Sequence, residues 1–411
     1  MKYFLFLLIL IFVMSNIYAD SIFSNIGFIE FDPGVDNFST GMGNTGIATT
    51  FRRNFSMCNP ALNATMYKAG FFTQMSFSNI KYETSDNSFD KTTSNFPTAK
   101  VIIPLMKNTV LGFDFLQKYS YGLQTSISDS LQDIGNYSSL TVLEGSINQF
   151  GLSITRKISK LDLGFKLGFN YGNKYKGLDI DFEDNDLIDY ESDYENIMKG
   201  INFTLGFIYP LAKLSLGGFY ESTIDLESNN TDKIDFVNNS NLDYVEDSET
   251  DFSLPAQIGM GVGYELNNEF YLESNYRQSF WTEATNKLMN ERDTKFFSIG
   301  LSYIPYKNEI PFSIRIGAYY KELPCKSDNE FVNEKALSLG FDVPLDFEKQ
   351  GKISLAFSYG NRGNVSKNNM SDNFFSLSLG FQSFDRWLNP QKYSRDKTIP
   401  EADETYLEEW E

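Results

Sequence analysis

Apolar and polar residues alternate along most of this chain, and this alternation constrains the fold more than any other feature. Within 160–172, the odd positions from Leu161 to Tyr171 are apolar, while the even positions carry polar residues or glycine. A period of two predicts β-strands with one apolar face. We expect 14 strands between Tyr67 and Phe384, most of them long enough for a tilted membrane strand of about 9–11 residues. They are 67–80, 95–106, 109–117, 146–157, 160–172, 200–209, 213–221, 254–265, 269–281, 293–304, 312–321, 334–344, 352–360 and 372–384.

The gaps between these strands are alternately long and short. The polar gaps 81–94, 118–145, 173–199 and 222–253 are long, whereas the connections between them shrink to a few residues, as at 107–108. An antiparallel membrane barrel has this pattern, with short turns in the periplasm, longer loops at the surface and an even number of strands. The sequence therefore predicts an all-β fold, a transmembrane antiparallel β-barrel of about 14 strands in the outer membrane, with both termini in the periplasm.

A soluble β-sandwich is the alternative, because its strands alternate in the same way. The polar faces of the expected strands argue against it, since a dry core would have to neutralise their charged side chains, whereas a water-filled lumen accepts them. These charges are Lys166, Glu273, Arg277, Arg315 and Asp342. In a bilayer the sheet must also close, because an open edge would leave backbone N–H and C=O groups without partners.

Residues 1–19 have the pattern of a cleaved secretory signal peptide. Lys2 supplies a positive charge, an apolar run covers 3–14, and Ala19 provides a small residue before Asp20. This order of charge, apolar stretch and small residue is typical of secretory signals. An N-terminal membrane anchor is the alternative, but the apolar run is shorter than the roughly 20 residues that a spanning helix needs.

The charge and residue content exclude several function classes. The chain carries 54 Asp and Glu against 35 Lys and Arg, a net charge of −19, which argues against nucleic acid as a partner. It contains no histidine, so His-based catalysis and His-ligated metal sites are excluded, and we expect neither enzyme activity nor a cofactor. Cys58 and Cys325 are expected to be unpaired, because their segments would lie at different heights of the barrel.

Two of the long gaps, 173–199 and 222–253, are crowded with acidic residues. Clustered carboxylates can bind calcium, but the spacing of an EF-hand loop is absent. The favoured interpretation is that both gaps are solvated surface loops, whose charge also opposes self-association.

The segment 20–66 precedes the first expected strand and does not continue the alternation. It contains three glycines within 41–46 and an Asn-Pro step at 59–60. Closely spaced glycines allow close backbone approach, and an Asn-Pro step favours a turn. A barrel of this size is too wide for side chains alone to fill. We therefore expect 20–66 to form a compact hatch in the lumen, 67–384 to form the barrel, and 385–411 to follow it as an acidic periplasmic tail.

The hatch motif resembles a known family. Its glycine part is followed about 13 residues later by an Asn-Pro-Ala step, and together they are similar to the hatch of the outer-membrane long-chain fatty acid transporter (FadL-type) family. The motif residues are Gly41, Gly43, Asn44, Gly46, Asn59, Pro60 and Ala61. The family, taken broadly, includes spirochaete paralogues and barrel components of type IX secretion. The resemblance covers 36–66 and implies a 14-stranded barrel with a luminal hatch.

The chain departs from that family at Arg52 and Arg53, where small and acidic residues are usual. These arginines are candidates to bind a carboxylate head group by charge-assisted hydrogen bonds. The favoured alternative is that they pair with luminal acids such as Asp162 or Glu273. Further candidates for ligand contact are the aromatic residues that the strand phases turn inward, although ordinary lumen packing would also explain them. They are Phe219, Tyr271, Phe296 and Tyr319.

Two functions follow from this reasoning. The first is outer-membrane transport of a hydrophobic or amphipathic small molecule, such as a long-chain fatty acid, through an apolar pocket and past the hatch. The second is a non-transport scaffold that holds a periplasmic or surface partner protein through its loops or its tail, whose aromatic residues are possible anchors. Either protein would also contact outer-membrane lipid and the barrel-assembly machinery.

Overall fold

The structure of the protein, a computed structural model, describes most of the chain between Ser21 and Asp385. The described residues are 21–26, 29–30, 34–52, 55–106, 108–131, 135–184, 187–237, 242–284, 292–305, 312–345 and 351–385. The signal peptide expected at 1–19, Arg53, and all but the first residue of the expected tail (385–411) lie outside them.

Fourteen antiparallel strands form one closed barrel, which confirms the predicted fold class. The strands are β1 (Ala69–Thr84), β2 (Ser88–Met106), β3 (Thr109–Leu131), β4 (Gly135–Ile158), β5 (Leu161–Phe182), β6 (Tyr190–Leu211), β7 (Leu214–Glu221 continued by Ile224–Phe236), β8 (Tyr244–Leu254 continued by Gln257–Glu265), β9 (Phe270–Ser279), β10 (Thr294–Tyr303), β11 (Ser313–Ser327), β12 (Glu330–Pro344), β13 (Gly351–Gly363) and β14 (Met370–Asp385). Each pairs with the next along the chain. The barrel closes where β14 pairs with β1, with Met370 opposite Thr84 and Asp385 opposite Ala69.

The alternation along each strand separates a lipid-facing surface from the lumen. On β5 the side chains of Leu163, Phe165 and Leu167 are 40–46% exposed, while Lys166 and Asn170 are buried. Successive side chains of a strand point to opposite faces. The exposed apolar side chains therefore lie on the outside of the barrel, where a bilayer covers them, and the polar side chains point into the lumen.

The strands β3–β8 continue well past their expected ends. The gap 118–145, expected as a loop, is the upper part of the β3–β4 hairpin, which stays paired as far as Leu131 opposite Gly135. The gaps 81–94, 173–199 and 222–253 are largely hairpin as well. The strand ends were missed because they lack the apolar alternation, while backbone pairing still holds them together. We call this side of the barrel the long-hairpin end and the opposite side the short-turn end.

Much of the acidic content lies on these extended strands and not in loops. On β7, Asp225 and Glu227 are exposed on the outer face, while Leu226 between them is buried on the inner face. The interpretation as surface loops was therefore wrong in its secondary structure. Across the described residues, no three acidic or cysteine side chains come together as a metal-binding group.

The described residues that precede β1 lie inside the lumen. We use the name hatch for residues 34–66, whose helical turns are Asn37–Thr40 and Pro60–Thr65. The hatch contacts strands on several sides of the barrel before the chain enters β1 at the short-turn end. In the part of the chain that the structure describes, no helix has the length and apolarity to cross a membrane.

The first described residues lie at the long-hairpin end of the lumen. The Ser21 hydroxyl donates to Asp372 Oδ2 (2.5 Å) and the Ile22 N–H to Asp372 Oδ1 (3.2 Å). Phe23 is fully buried beside them. From Ser21 onward the described chain therefore leads from the long-hairpin end toward β1 at the short-turn end, and the periplasmic location expected for the N-terminus stays a prediction.

Candidate functional site in the barrel lumen

The hatch lies against glycines of the inner wall, where no side chain separates the two backbones. A Cβ on Gly317 would lie 2.1 Å from the carbonyl carbon of Met42, and one on Gly164 would lie 2.4 Å from the nitrogen of Ala61. Only glycine permits so close an approach. Other inner-wall glycines also lie close to the hatch, and a Cβ on each would come within 3.0 Å of a hatch atom: Gly206, Gly217, Gly261, Gly300, Gly340 and Gly380. The wall is therefore shaped to receive this segment.

The glycine part of the hatch motif lies within this contact. Gly43 has a φ of +73°, and a Cβ on it would lie 2.6 Å from a backbone nitrogen of β11. Gly46 has a φ of +120°, which other residues rarely adopt. A Cβ on Gly41 would lie 2.8 Å from a glycine Cα of β12. Asn44 has a φ of 59°, in the left-handed region that asparagine tolerates.

The Asn-Pro-Ala part of the motif ties two stretches of the hatch to the wall. The Asn59 side-chain oxygen accepts the Ala61 N–H (3.1 Å), and its amide donates to the carbonyls of Ile47 (2.9 Å) and Phe207 on β6 (3.1 Å). The Pro60 carbonyl accepts a threonine hydroxyl of β4 (2.6 Å). The single side chain of Asn59 therefore joins three parts of the structure: the helical turn that begins at Pro60, the hatch stretch at Ile47 and strand β6.

Glu273 of β9 is the barrel carboxylate that binds the hatch backbone. Its Oε1 accepts the N–H groups of Gly46, Ile47 and Ala48 at 2.9–3.0 Å, and its Oε2 accepts the Thr49 hydroxyl at 2.5 Å. Successive backbone N–H groups that converge on one anion form a nest, which favours negative charge. Sequence analysis identified Glu273 as a luminal charge but not as this anchor, because nothing in the sequence links β9 to 46–49.

Arg52 is bound within the hatch. Its guanidinium pairs with Asp36 (2.8 Å), both side chains are 1% exposed, and it stacks 3.5 Å from the centre of the Phe38 ring. The alternative that Arg52 pairs with a luminal acid is realised by Asp36, which caps the helical turn that begins at Asn37, and not by the named examples Asp162 and Glu273. Arg52 therefore stabilises the fold of the hatch.

Two buried lysines of the wall bind neighbouring hatch carbonyls. Lys100 of β2 donates to the Ser56 carbonyl (2.6 Å), and Lys166 of β5 donates to the Met57 carbonyl (3.2 Å). Lys166 also donates to the Gln149 side-chain oxygen on β4 (2.9 Å). The two lysines therefore anchor the hatch at Ser56 and Met57. Lys166 also links this part of the hatch to polar side chains that lie farther toward the long-hairpin end.

Those polar side chains form a band across β3–β7, which we call the polar belt: Lys118, Gln149, Asn170, Asn202 and Glu221. The Gln149 amide donates to the oxygens of Asn170 (3.2 Å) and Asn202 (3.1 Å). Glu221 Oε1 accepts the amide of Asn202 (2.7 Å) and the ammonium of Lys118. All five side chains are buried, so each bond matters for the arrangement of the others.

Beyond the polar belt, toward the long-hairpin end, the wall carries a buried apolar cluster that we call the luminal apolar cluster. Its members occupy inward-facing positions of β3, β4, β6, β7 and β8 and the turn after β9: Tyr119, Tyr121, Leu123, Leu143, Ile147, Met198, Ile224, Leu226, Leu254 and Trp281. Trp281 packs edge-on against Tyr119, with ring centres 6.3 Å apart. The cluster was not predicted from the sequence, because most of its members fall in gaps that were taken for loops. The alternation of Tyr119, Tyr121 and Leu123 was the available signal.

The four aromatic candidates for ligand contact all turn into the lumen, but the structure does not bring them together. Tyr271 stacks on Phe51 of the hatch, with ring centres 5.3 Å apart. Phe296 and Tyr319 stack on each other at 5.4 Å, beside the N-terminal residues. Phe219 lies against a glycine of β8. Only the Phe296–Tyr319 pair therefore forms a joint surface.

Both cysteines are free, as expected, with Cys58 half-buried in the hatch and Cys325 buried in β11. The Cys58 Sγ lies 3.0 Å from the Ser56 hydroxyl and 3.3 Å from the Gly46 carbonyl. Cys58 therefore touches both the stretch that Glu273 holds and the stretch that the two lysines hold.

The fold is shared with solved outer-membrane channels. A FadL homologue from Pseudomonas aeruginosa matches with a TM-score of 0.62 at 12% identity, over 86% of this chain and 99% of the other. The toluene transporter TbuX of Ralstonia pickettii matches with a TM-score of 0.60 at 14% identity, over 86% and 98%. The toluene transporter TodX of Pseudomonas putida matches with a TM-score of 0.57 at 14% identity, over 87% and 99%. At these identities the likeness shows the FadL-like fold.

One protein-family model matches nearly the whole sequence. The model described as BamG matches residues 1–394. No curated protein matches the sequence.

Proposed function

The chain belongs to the BamG family, and on that premise we propose that it binds a hydrophobic or amphipathic small molecule in its lumen and passes it across the outer membrane. The short-turn end faces the periplasm in this proposal, and the long-hairpin end faces the outside. A long-chain fatty acid is the ligand we propose first.

The luminal apolar cluster carries this proposal. Its side chains point inward from five strands at the end of the lumen that a solute from outside meets first. A porin for ions or sugars gains nothing from such a surface, whereas an apolar solute gains about 0.8 kcal/mol for each methylene that leaves water. A dozen buried methylenes give a gross gain of about 10 kcal/mol, which exceeds the lower estimates of the cost of association.

A cation beside the cluster favours an anionic amphiphile. The Lys174 ammonium lies 4.6 Å from the centre of the Tyr121 ring, next to the apolar surface. Arg52, which the sequence suggested for this role, is engaged with Asp36. A carboxylate head group at Lys174 with its tail on the cluster fits this arrangement. Phe296 and Tyr319 are proposed as a second apolar contact, and Phe219 and Tyr271 line the path.

The solute must pass the hatch, which closes the short-turn half of the lumen. Passage therefore requires part of the hatch to leave its wall contacts. Transport of a hydrophobic molecule is supported by the structures with the same fold, two of which are described as toluene transporters. The luminal apolar cluster lies before the hatch on this route, and only a ligand with an apolar part would bind there.

Fluorescence quenching tests the site. Trp281 is the tryptophan of the cluster, so a Trp387→Phe/Trp410→Phe background isolates its emission. Brominated palmitate should quench Trp281 at saturable concentrations. Ile224→Asn should weaken binding about tenfold, which corresponds to about 1.4 kcal/mol of lost apolar contact.

Ile208→Asn is the matched control, since Ile208 is also a buried isoleucine of the inner wall but packs against Ala61 and Leu62 of the hatch. Retained heat-modifiable mobility on gels would show that both variants are assembled. If quenching is absent or non-saturable in the parent protein, or if the two variants bind alike, the proposed site is wrong. Slower palmitate uptake by a strain that lacks the protein would extend the result from binding to transport.

A second function is favoured by the family name, which hints at an association with the barrel-assembly machinery. In this role the barrel would hold a partner and transport nothing. Loss of the protein would then lower the levels of other outer-membrane barrels while palmitate uptake stays unchanged. Crosslinking of the intact protein in cells to the barrel-assembly machinery would support this alternative, and normal barrel levels in the deletion strain would refute it.

A further inference from the structure

We propose that Lys166 couples the luminal apolar cluster to the hatch, so that a ligand on the cluster loosens the hatch at Met57. This inference rests on the proposed function, because it specifies how ligand binding reaches the part of the protein that closes the lumen. Lys166 acts as a positioning residue and does not touch the ligand itself.

Lys166 lies between the hatch and the polar belt. Its ammonium donates to the Met57 carbonyl (3.2 Å) and to the Gln149 oxygen (2.9 Å), and it lies 3.8 Å from Asp114 Oδ1. A lysine ammonium has three donors. The three acceptors therefore hold one ammonium between them and together set its position, so a change at Gln149 alters the bond to the hatch.

The polar belt borders the luminal apolar cluster. Gln149 and Ile147 are successive inward-facing residues of β4, and Glu221 and Ile224 flank the break in β7. A solute that lies on Ile147 and Ile224 therefore ends on the belt. Gln149 holds Asn170 and Asn202 through one amide nitrogen, so its displacement rearranges the whole belt.

A ligand on the cluster should weaken the hold of Lys166 on the hatch. When a solute draws Gln149 away, Lys166 loses its closest acceptor and moves toward the charged Asp114, because a bond to a carboxylate is stronger than one to a carbonyl. The Met57 carbonyl then loses its donor from the wall. Cys58, the next residue, becomes more accessible.

Lys100 provides the matched comparison. It is buried like Lys166 and binds the neighbouring hatch carbonyl of Ser56 (2.6 Å). Within the described part of the chain, however, no hydrogen bond joins it to the polar belt. A purely structural role for both lysines predicts the same effect from either substitution, whereas coupling predicts different effects.

The experiment measures how fast a small thiol reagent modifies Cys58 in the full-length protein in detergent, with and without palmitate. Cys325→Ala leaves Cys58 as the single thiol. In this parent, palmitate should accelerate modification about fivefold or more, the lower range of couplings between sites. In Lys166→Met and in Gln149→Met the acceleration should vanish, although Trp281 quenching still shows binding. Gln149→Met removes the same acceptor that the ligand is proposed to draw away from Lys166, so Cys58 should react fast already without palmitate and should gain nothing further from palmitate.

Lys100→Met should raise the rate of Cys58 modification without palmitate and still respond to palmitate. If Lys166→Met and Gln149→Met keep the palmitate response, the coupling is refuted while the proposed function stands. If palmitate neither quenches Trp281 nor alters the parent rate, the proposed function fails and this inference fails with it.

Discussion

Glu273→Gln tests how the hatch is held in the lumen. The Glu273 carboxylate accepts four hydrogen bonds from the hatch, three from backbone N–H groups and one from Thr49. The substitution keeps the shape of the side chain but removes its charge and replaces one oxygen with a donor. It therefore isolates the electrostatic contribution of this anchor.

The size of the effect follows from the number of bonds. A hydrogen bond to a charged group contributes about 1.5–3 kcal/mol, and one between neutral groups about 0.5–1.5 kcal/mol. The loss is therefore about 1 kcal/mol for each bond and about 3–4 kcal/mol in all. Since about 1.4 kcal/mol is a factor of ten, the population in which residues 46–49 are released should rise at least a hundredfold.

Cys58 reports this release, because its Sγ contacts the Gly46 carbonyl at 3.3 Å. In the Cys325→Ala background without ligand, Glu273→Gln should accelerate thiol modification of Cys58 about a hundredfold or more. Glu334→Gln is the control, since Glu334 is also a buried luminal carboxylate but bonds the barrel residues Tyr319 and Arg362. Equal rates in the two variants would show that Glu273 does not hold the hatch.

Three further predictions follow from the structure. Gly317→Leu adds a side chain whose Cβ would lie 2.1 Å from the hatch backbone. The hatch should then be unable to pack against the wall, and conductance steps should appear in planar bilayers. Gly351→Leu is the control, because its Cβ would have no neighbour closer than 3.5 Å, and it should show no such steps. Arg52→Met leaves the buried Asp36 carboxylate without its cation and should destabilise the hatch by about 3–5 kcal/mol. Limited proteolysis should then cut the hatch earlier than in the parent protein. Adding Asp36→Asn should restore resistance to the protease. A tag near residue 185 should be reachable on intact cells and a tag after residue 394 should not; labelling of the second without permeabilisation would reverse the proposed orientation.

The barrel could be predicted from the sequence because the bilayer imposes its pattern on every strand. Residues such as Phe165 and Lys166 must point to opposite faces, and the short connections fix which strands are neighbours. Above the bilayer this constraint ends, so the upper parts of β3–β8 were taken for loops. The luminal apolar cluster lies on those upper strands, and it was missed for the same reason.

The hatch could be placed but its contacts could not. The glycines at 41–46 indicated close backbone approach, and the structure supplies the wall glycines that they meet. The partners of Arg52 and Glu273 depend on how the hatch turns inside the lumen, and alternation carries no information about that. Asp36 directly precedes the helical turn that it caps. Its pairing with Arg52, 16 residues later in the same segment, could therefore have been proposed from the local sequence.

The central claim is that a hydrophobic ligand binds inside the lumen at the long-hairpin end. An experimental structure of the protein with brominated palmitate tests this claim most directly, because bromine can be located by its anomalous scattering. The account predicts bromine within contact distance of Ile224, Leu226 or Trp281. Bromine found only on the outer apolar surface, with the luminal apolar cluster unchanged, would contradict it.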